Sequence, residues 1–184
     1  MNLPKIGPRE TAYQNRFQII YRVEAQFDGF SKEYFVIDTG IKAGIVVVQD
    51  EFVLLVRQYR LLINDLSWEI PGGRVNEGET PEAAAIRECL EETGVRCVGA
   101  QLLIFYQQGL DTISNPTHIF YANNIEEKLE LEGIDPQETS GSEWVPLSRC
   151  MDMIASHEII DSFTILSLMT YQNYMAGLKS DTSP

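Results

Sequence analysis

The sequence lacks any apolar stretch approaching the ~18 residues that a membrane-spanning helix needs. Its apolar runs, such as Ile45–Val48 and Phe52–Val56, have the length of strands. The first residues, MNLPKIGPRETAYQ, also lack the apolar centre of a secretory signal. These absences argue against membrane insertion and secretion, so we expect a cytoplasmic protein with no membrane partner.

Cysteine and histidine are scarce. The three cysteines, Cys89, Cys97 and Cys150, form no C-x-x-C pair, and His118 and His157 stand alone in the sequence. An odd number of unpaired cysteines is typical of reduced, partly buried thiols in a cytosolic protein. The sequence therefore predicts neither a disulfide framework nor a zinc site.

Positively charged residues are also few: the chain has 14 Lys and Arg and 27 Asp and Glu, which gives a formal net charge of −13. So acidic a protein repels polyphosphates at long range, which argues against a nucleic-acid partner. An acidic protein that does bind a phosphorylated small molecule needs a few local arginines or a bound divalent cation.

The N-terminal segment is polar at first and then predicts a hairpin. Residues 1–16 contain Pro4 and Pro8 and predict an irregular lead-in. Apolar and polar residues alternate over Tyr21–Phe27, a turn follows, and Tyr34–Ile37 returns. We divide the chain into an N-terminal hairpin extension (1–40), a main domain (41–178) and a tail (179–184).

Strands and helices alternate in the main domain. The run Gly44–Val48 is continuously apolar, which is typical of a strand buried on both faces. Thr80 can cap a helix that begins at Pro81, and Gly94 suits the left-handed position at its end. The fold class is therefore α/β or α+β with a mixed sheet. Further strands are predicted at Phe52–Val56, Trp68–Ile70, Val98–Tyr106, His118–Ala122 and Glu143–Val145, and helices at Ser148–Ala155 and Ile160–Met175.

Three carboxylates share one face of the helix that begins at Pro81. Glu88, Glu91 and Glu92 stand at i, i+3 and i+4, and unpaired like charges at these spacings destabilise a helix. Clustered carboxylate oxygens are the ligands that Mg²⁺ or Mn²⁺ prefers. Arg87 can pair with Glu91 one turn away and with Glu79 in the preceding loop, and those contacts would aim the carboxylates.

The opposite side of this helix is predicted to seat it on the sheet through Ala83, Ile86 and Leu90. Gly72 and Gly73 free the preceding backbone to turn sharply and to bring carbonyl oxygens close to a metal.

The segment Gly73–Val95 as a whole resembles the Nudix box, G-x5-E-x7-R-E-U-x-E-E-x-G-U, where U is a bulky aliphatic residue. Cys89 stands at one aliphatic position, which we interpret as a packing variation. The positions that match are Gly73, Glu79, Arg87, Glu88, Glu91, Glu92, Gly94 and Val95.

The resemblance extends over about residues 17–175. In this range the sequence is similar to ADP-ribose pyrophosphatases and related nucleoside-diphosphate-sugar hydrolases. It is carried by VRQYR at Val56–Arg60, WEIPGG at Trp68–Gly73, SEWVPLSR at Ser142–Arg149 and IIDSFTILSLM at Ile159–Met169. It implies a Nudix fold, with a mixed sheet between helices, and a homodimer formed through the N-terminal hairpin.

The same resemblance implies roles for individual residues. Glu88, Glu92 and the carbonyl of Gly72 would bind the metal, with Glu91 as a third ligand or a base. Arg87 is a further catalytic candidate, while Gly73, Glu79 and Gly94 are structural within the motif. The candidates for contact with substrate are Arg57, Arg60, Trp68 and Glu69, although either arginine could instead pair with acidic neighbours at the surface.

One departure from the ADP-ribose pyrophosphatases concerns the loop Tyr106–Pro116, which lacks their usual proline before Gly109. Asp111 in this loop is a candidate substrate contact, with a simple turn-forming role as the alternative. A late loop offers Asp135, Glu138 and Glu143 as a general base, and we select Glu138.

The resemblance implies Mg²⁺-dependent (or Mn²⁺-dependent) hydrolysis of ADP-ribose to AMP and ribose 5-phosphate. The alternatives are GDP-mannose, a dinucleotide or a free nucleotide as substrate, or a ligand-sensing Nudix domain without hydrolysis. The last alternative usually shows lost box carboxylates, whereas all of them are present in this sequence.

Overall fold

The computed structural model describes residues 2–128 and 139–181. The chain divides into two compact units, one of residues 1–41 with 106–117 and one of residues 42–105 with 118–184. In chain order the elements are β1 (Lys5–Ile6), β2 (Glu10–Gln14), β3 (Ile19–Phe27), β4 (Phe30–Asp38), β5 (Lys42–Gln49), β6 (Phe52–Arg60), β7 (Asp65–Glu69), β8 (Gly72–Arg74), α1 (Pro81–Thr93), β9 (Val95–Val98), β10 (Gln101–Gln107), β11 (Ile113–Ser114), β12 (Pro116–Ala122), β13 (Asn124–Lys128), β14 (Thr139–Pro146), α2 (Leu147–Ala155) and α3 (Ser162–Asp181).

The first unit is built on the predicted hairpin, whose strands β3 and β4 pair antiparallel along their full length from Ile19↔Asp38 to Phe27↔Phe30. Short strands β1 and β2 both pair with β3, and β11 lies parallel beside β4. The prediction of an irregular lead-in over residues 1–16 is therefore wrong. Every residue of β1 and β2 is exposed, so no alternation of burial marked them as strands in the sequence.

In the second unit, β5 lies between two helices. Ala43, Ile45 and Val47 belong to a buried cluster that includes residues of α1. The intervening Gly44 faces the ring of Phe163 in α3 instead. Because both faces of β5 are covered, the predicted strand buried on both faces is confirmed, as is the fold class of sheets combined with helices.

The turn between β5 and β6 is tight. Asp50 and Glu51 both have positive φ, 49° and 69°, which matches the twist of a two-residue hairpin. Beyond this turn β5 and β6 separate: β5 pairs with β8, whereas β6 pairs with β7 and β14. Glu92, near the end of α1, lies at the gap between β8 and β6 and bonds to Gly72 of one strand and Gln58 of the other.

The predicted seat of α1 needs correction. Ala83 is exposed, and Ile86 and Leu90 are only partly buried. With alanine at three consecutive positions, the sequence allows several apolar stripes, and packing against β5 selects the one with the smallest side chains. The residues that the structure buries are Ala84, Ala85, Cys89 and Thr93.

The cysteines lie inside the protein. Cys89, Cys97 and Cys150 are all buried and free, as predicted. Within residues 2–128 and 139–181, no helix is long and apolar enough to cross a membrane.

Candidate active site

Helix α1 begins and ends as its sequence predicts. Thr80 has extended backbone, and its Oγ1 accepts a hydrogen bond from the amide of Ala83 at 3.2 Å. Gly94 has φ 72°, in the left-handed region, and its amide donates to the carbonyl of Leu90 at 2.9 Å. These caps fix the length of the helix and thereby the positions of the carboxylates along it.

Arg87 connects the loop to the helix. Its Nε donates to Glu79 Oε1, and its Nη1 donates to Glu88 Oε1 and to Glu91 Oε2, each at 2.9 Å. Its Nη2 donates to the carbonyl of Arg74 at 3.0 Å. Both predicted pairings, with Glu79 and Glu91, are present. The hydrogen bond from Arg87 holds the pKa of Glu79 below its usual range, and the same pairing raises the pKa of Arg87.

Glu88 lies directly over Gly73. A Cβ added to Gly73 would lie 2.5 Å from the carboxyl carbon of Glu88, so glycine is the residue that leaves room for this carboxylate. Burial raises the pKa of Glu88, and the hydrogen bond from Arg87 acts in the opposite direction. Glu91 is more exposed and pairs with Arg87.

Glu92 turns toward the gap between β8 and β6. Its Oε2 accepts from the amide of Gly72 at 3.0 Å, and its Oε1 accepts from Nε2 of Gln58. Burial raises the pKa of Glu92 to about 7, although both hydrogen bonds lower it. Among the described residues Glu92 forms no ion pair with a lysine or arginine.

The loop before β8 is anchored from two sides. The amide of Ile70 donates to Thr164 Oγ1 in α3 at 3.0 Å, and Pro71 O accepts from the amide of Ile45 at 3.1 Å. A Cβ at Gly72 would lie 2.6 Å from the carbonyl oxygen of Ala43. The backbone here is therefore packed too closely for any residue but glycine.

Strands β6 and β7 pair antiparallel and carry the predicted substrate-binding residues. These residues lie on opposite faces of the strand pair. Arg57 is paired with Trp68, and its guanidinium lies 5.1 Å from the centre of the indole ring. Arg60 points the other way and binds Glu69 through Nε at 2.7 Å and Nη2 at 2.5 Å. Arg60 is thus paired with an acidic neighbour, Glu69, that is only 4% exposed.

Gln58 also belongs to this site, although no sequence motif identified it. It is 6% exposed, and it contacts both Glu92 and Arg60. Strand alternation places it on the same face as Arg60, two residues away. Gln58 continues the alternation of Leu54 and Val56 on a buried strand face, and a polar residue at that position was the signal in the sequence.

Four candidates from the sequence remain. Asp111 belongs to the first unit, where its Oδ1 accepts a weak hydrogen bond from Thr112 Oγ1 at 3.4 Å. Glu143 is exposed on β14. Asp135 and the selected base, Glu138, lie outside the described residues. The assignment of a late-loop base therefore stays a prediction.

The donor atoms at this site fit a hard divalent cation. Glu88 and Glu92 supply only oxygen, and burial raises the pKa of both. Within the part of the chain that the structure describes, Glu92 forms no ion pair with a lysine or arginine. A partly buried carboxylate without such a partner is stabilised by a metal ion or by a proton. In the described ranges no three acidic, histidine or cysteine side chains converge on one point. Arg87 forms ion pairs with both Glu88 and Glu91.

The family comparison agrees with this geometry. The family model described as NUDIX domain matches residues 38–162, which is more than half of the chain. The chain therefore belongs to the Nudix family, and the expectation of a Nudix pyrophosphohydrolase resembling ADP-ribose pyrophosphatase is confirmed. Divalent metal ions are a general requirement of this family.

Individual relatives differ in what their names describe. The chain is 34% identical over 131 residues to a CMP-5'-(N-acetyl-N-hydroxy-3-aminopropyl)phosphonate hydrolase of Streptomyces rubellomurinus, covering 69% of this chain and 62% of that protein. It is 26% identical over 142 residues to the ADP-ribose pyrophosphatase of Bacillus subtilis, covering 77% of each. A crystal structure of an ADP compounds hydrolase shares the fold, with a TM-score of 0.83, 22% identity and 97% of both chains covered.

Proposed function

We propose that this protein hydrolyses the diphosphate of a nucleoside diphosphate linked to a sugar-like group, with ADP-ribose as the first candidate and Mg²⁺ as the metal. The observation that carries the proposal is the pair of partly buried carboxylates, Glu88 and Glu92, held against the glycine backbone of β8. The expected products from ADP-ribose are AMP and ribose 5-phosphate.

Each residue would have a definite task in this reaction. Glu88 and Glu92, with the carbonyl of Gly72, would hold the divalent ion, which supplies neutralisation of phosphoryl charge and a lower pKa for attacking water. Arg87 would keep Glu88 and Glu91 in place by donating to both. Glu91, the most exposed of the three, would be free to exchange Arg87 for a ligand or a water.

The substrate class rests on the relatives. One is named for ADP-ribose and another for a CMP-linked phosphonate, so both names describe a nucleotide joined to a second group. The alternatives in the same family are GDP-mannose, a dinucleotide or a free nucleotide. Arg57 and Trp68 together offer a cation and an aromatic ring to such a ligand, which supports a role for both in binding.

The direct test is a panel of nucleoside diphosphate derivatives and nucleoside triphosphates, incubated with Mg²⁺ or Mn²⁺, with the products identified by mass. We expect ADP-ribose to be cleaved to two monophosphates, and Glu92→Gln to abolish nearly all turnover. Glu82→Gln is the matched control, because Glu82 lies in the first turn of the same helix and is exposed. Equal activity of Glu92→Gln and the parent at saturating Mg²⁺ would exclude this metal site.

Specificity is tested by Asp111→Ala. Losing a hydrogen bond to a sugar hydroxyl in a closed site costs ~1–3 kcal/mol, so the ratio of kcat/KM for ADP-ribose to that for UDP-glucose should change if Asp111 contacts the sugar. Unchanged ratios across the panel would leave Asp111 as a turn former.

We also propose that the protein is a cytoplasmic homodimer formed through the N-terminal hairpin extension. Large apolar side chains remain exposed in this extension, including Phe17 at 62% and Phe30 at 59%. Covering them with a second copy would remove this apolar surface from water.

A further inference from the structure

The side chain of Gln58 lies between a candidate metal ligand and an arginine. Its Nε2 donates to Glu92 Oε1, and its Oε1 accepts from Arg60 Nη2 at 2.5 Å. Only 6% of the surface of Gln58 is exposed, so water has little access to these hydrogen bonds. The two ends of one amide are therefore both engaged inside the protein.

The orientation of this amide follows from its neighbours. Arginine carries donors only, so the end of Gln58 that faces Arg60 must be the carbonyl oxygen. The NH₂ group then faces Glu92, which as a carboxylate accepts hydrogen bonds only. No other arrangement of these three side chains satisfies every group.

Arg60 is itself held in place. Glu69 binds it through two hydrogen bonds, and Glu69 is almost fully buried in β7. A paired arginine–carboxylate fork of this kind is geometrically specific. The contacts thus form one continuous series, Glu69 to Arg60 to Gln58 to Glu92, that links β7 and β6 to the last turn of α1.

We propose that Gln58 is a positioning residue for metal binding, which fixes the carboxylate of Glu92 through a hydrogen bond whose direction is set by Arg60 and Glu69. With Gly72 on one oxygen and Gln58 on the other, the carboxylate is constrained at both oxygens, and its remaining lone pairs have a fixed direction. This inference rests on the proposed function in one respect, that Glu92 binds the metal.

A purely structural role is the competing interpretation, because a buried, fully bonded polar group also stabilises the strands around it. The two interpretations predict different affinities of the folded protein for the metal ion alone. Positioning partners of metal ligands typically contribute about 10- to 100-fold to metal affinity or activity. A structural role lowers the stability of the metal-free protein and leaves the affinity of the folded protein for metal unchanged.

The test measures binding of Mn²⁺ alone to the full chain, by electron paramagnetic resonance of the free ion, together with the melting temperature of the metal-free protein. The variants are Gln58→Leu, Glu92→Gln and their combination. Gln101→Leu is the matched control, since Gln101 Oε1 accepts from Tyr121 Oη at 2.9 Å in a separate network. If Gln58→Leu does not fold, Arg60→Lys replaces it, because lysine cannot hold both Glu69 and the Gln58 oxygen in one fork.

We expect Gln58→Leu to weaken Mn²⁺ binding about 10- to 100-fold, Gln101→Leu to leave it unchanged, and the double variant to bind no worse than Glu92→Gln. Turnover of Gln58→Leu should recover as the Mn²⁺ concentration is raised. Parental Mn²⁺ affinity in a folded Gln58→Leu, with affinity lost in Glu92→Gln, would overturn the positioning role while the proposed function stands. Parental affinity in Glu92→Gln would instead remove Glu92 from the metal site and overturn the proposed function with it.

Discussion

The ionisation of Glu92 should make the metal-free protein less stable as the pH rises. Burial raises its pKa from 4.5 to about 7 in the folded chain. At a pH between these two values, the native state therefore holds a proton that the unfolded state has already released. The contribution of this group to stability is fully present below about pH 4.5 and is lost as the pH rises through about 7.

The size of the effect follows from the pKa values. A change from 4.5 to about 7 corresponds to about 3 kcal/mol against the ionised form. Roughly 2 kcal/mol of that is lost between about pH 5.5 and about pH 8.5. In Glu92→Gln nothing titrates at this position, so the free energy of unfolding of the variant relative to the parent should increase by about 2 kcal/mol over this range. The altered hydrogen bonds of the amide add an offset that does not depend on pH.

The assay is urea unfolding of both proteins in the presence of a chelator, at several pH values above the isoelectric point near 4.5. Glu82→Gln controls for removing a negative charge from the same helix. Adding Mg²⁺ at the highest pH should stabilise the parent and leave Glu92→Gln unchanged. Parallel pH profiles for Glu92→Gln and the parent would show that Glu92 is not a desolvated carboxylate.

Three further outcomes are expected. Gly73→Ala should lower turnover at least 10-fold with little change in melting temperature, because the added Cβ would displace the Glu88 carboxylate. The control is Gly177→Ala, where an added Cβ meets nothing within 4 Å. Arg87→Lys should lower both turnover and the free energy of unfolding, the latter by about 1–3 kcal/mol in urea titrations, since one ammonium cannot replace the arginine fork. Removal of residues 1–40 should give a monomer or insoluble protein by light scattering, and a soluble truncated dimer with full activity would contradict the proposed interface.

Local sequence rules determined much of the catalytic segment. Thr80, Pro81 and Gly94 fix the two ends of α1 through contacts within a few residues of each other. The pairing of Arg87 with Glu79 and Glu91 also follows from short spacings along the chain. These interactions depend on backbone geometry that every helix shares, so they can be predicted from the sequence without the fold.

The N-terminal strands and the face of α1 that packs on the sheet could not be predicted in this way. Residues of β1 and β2 are all exposed, and their backbone pairing with β3 leaves no trace in side-chain character. Along α1, alanine at positions 83–85 makes several stripes equally apolar, and only contact with β5 distinguishes them.

The tertiary structure alone decided how the cations and amides of the site are shared. Arg57 and Arg60 look equivalent in VRQYR, yet strand alternation sends one to Trp68 and the other to Glu69. Gln58 meets Glu92 across 34 residues of sequence because β6 and the end of α1 converge at the gap beside β8. Contacts of that range depend on how separate elements pack, and a hydrogen bond between them exists only after the whole sheet and helix have assembled.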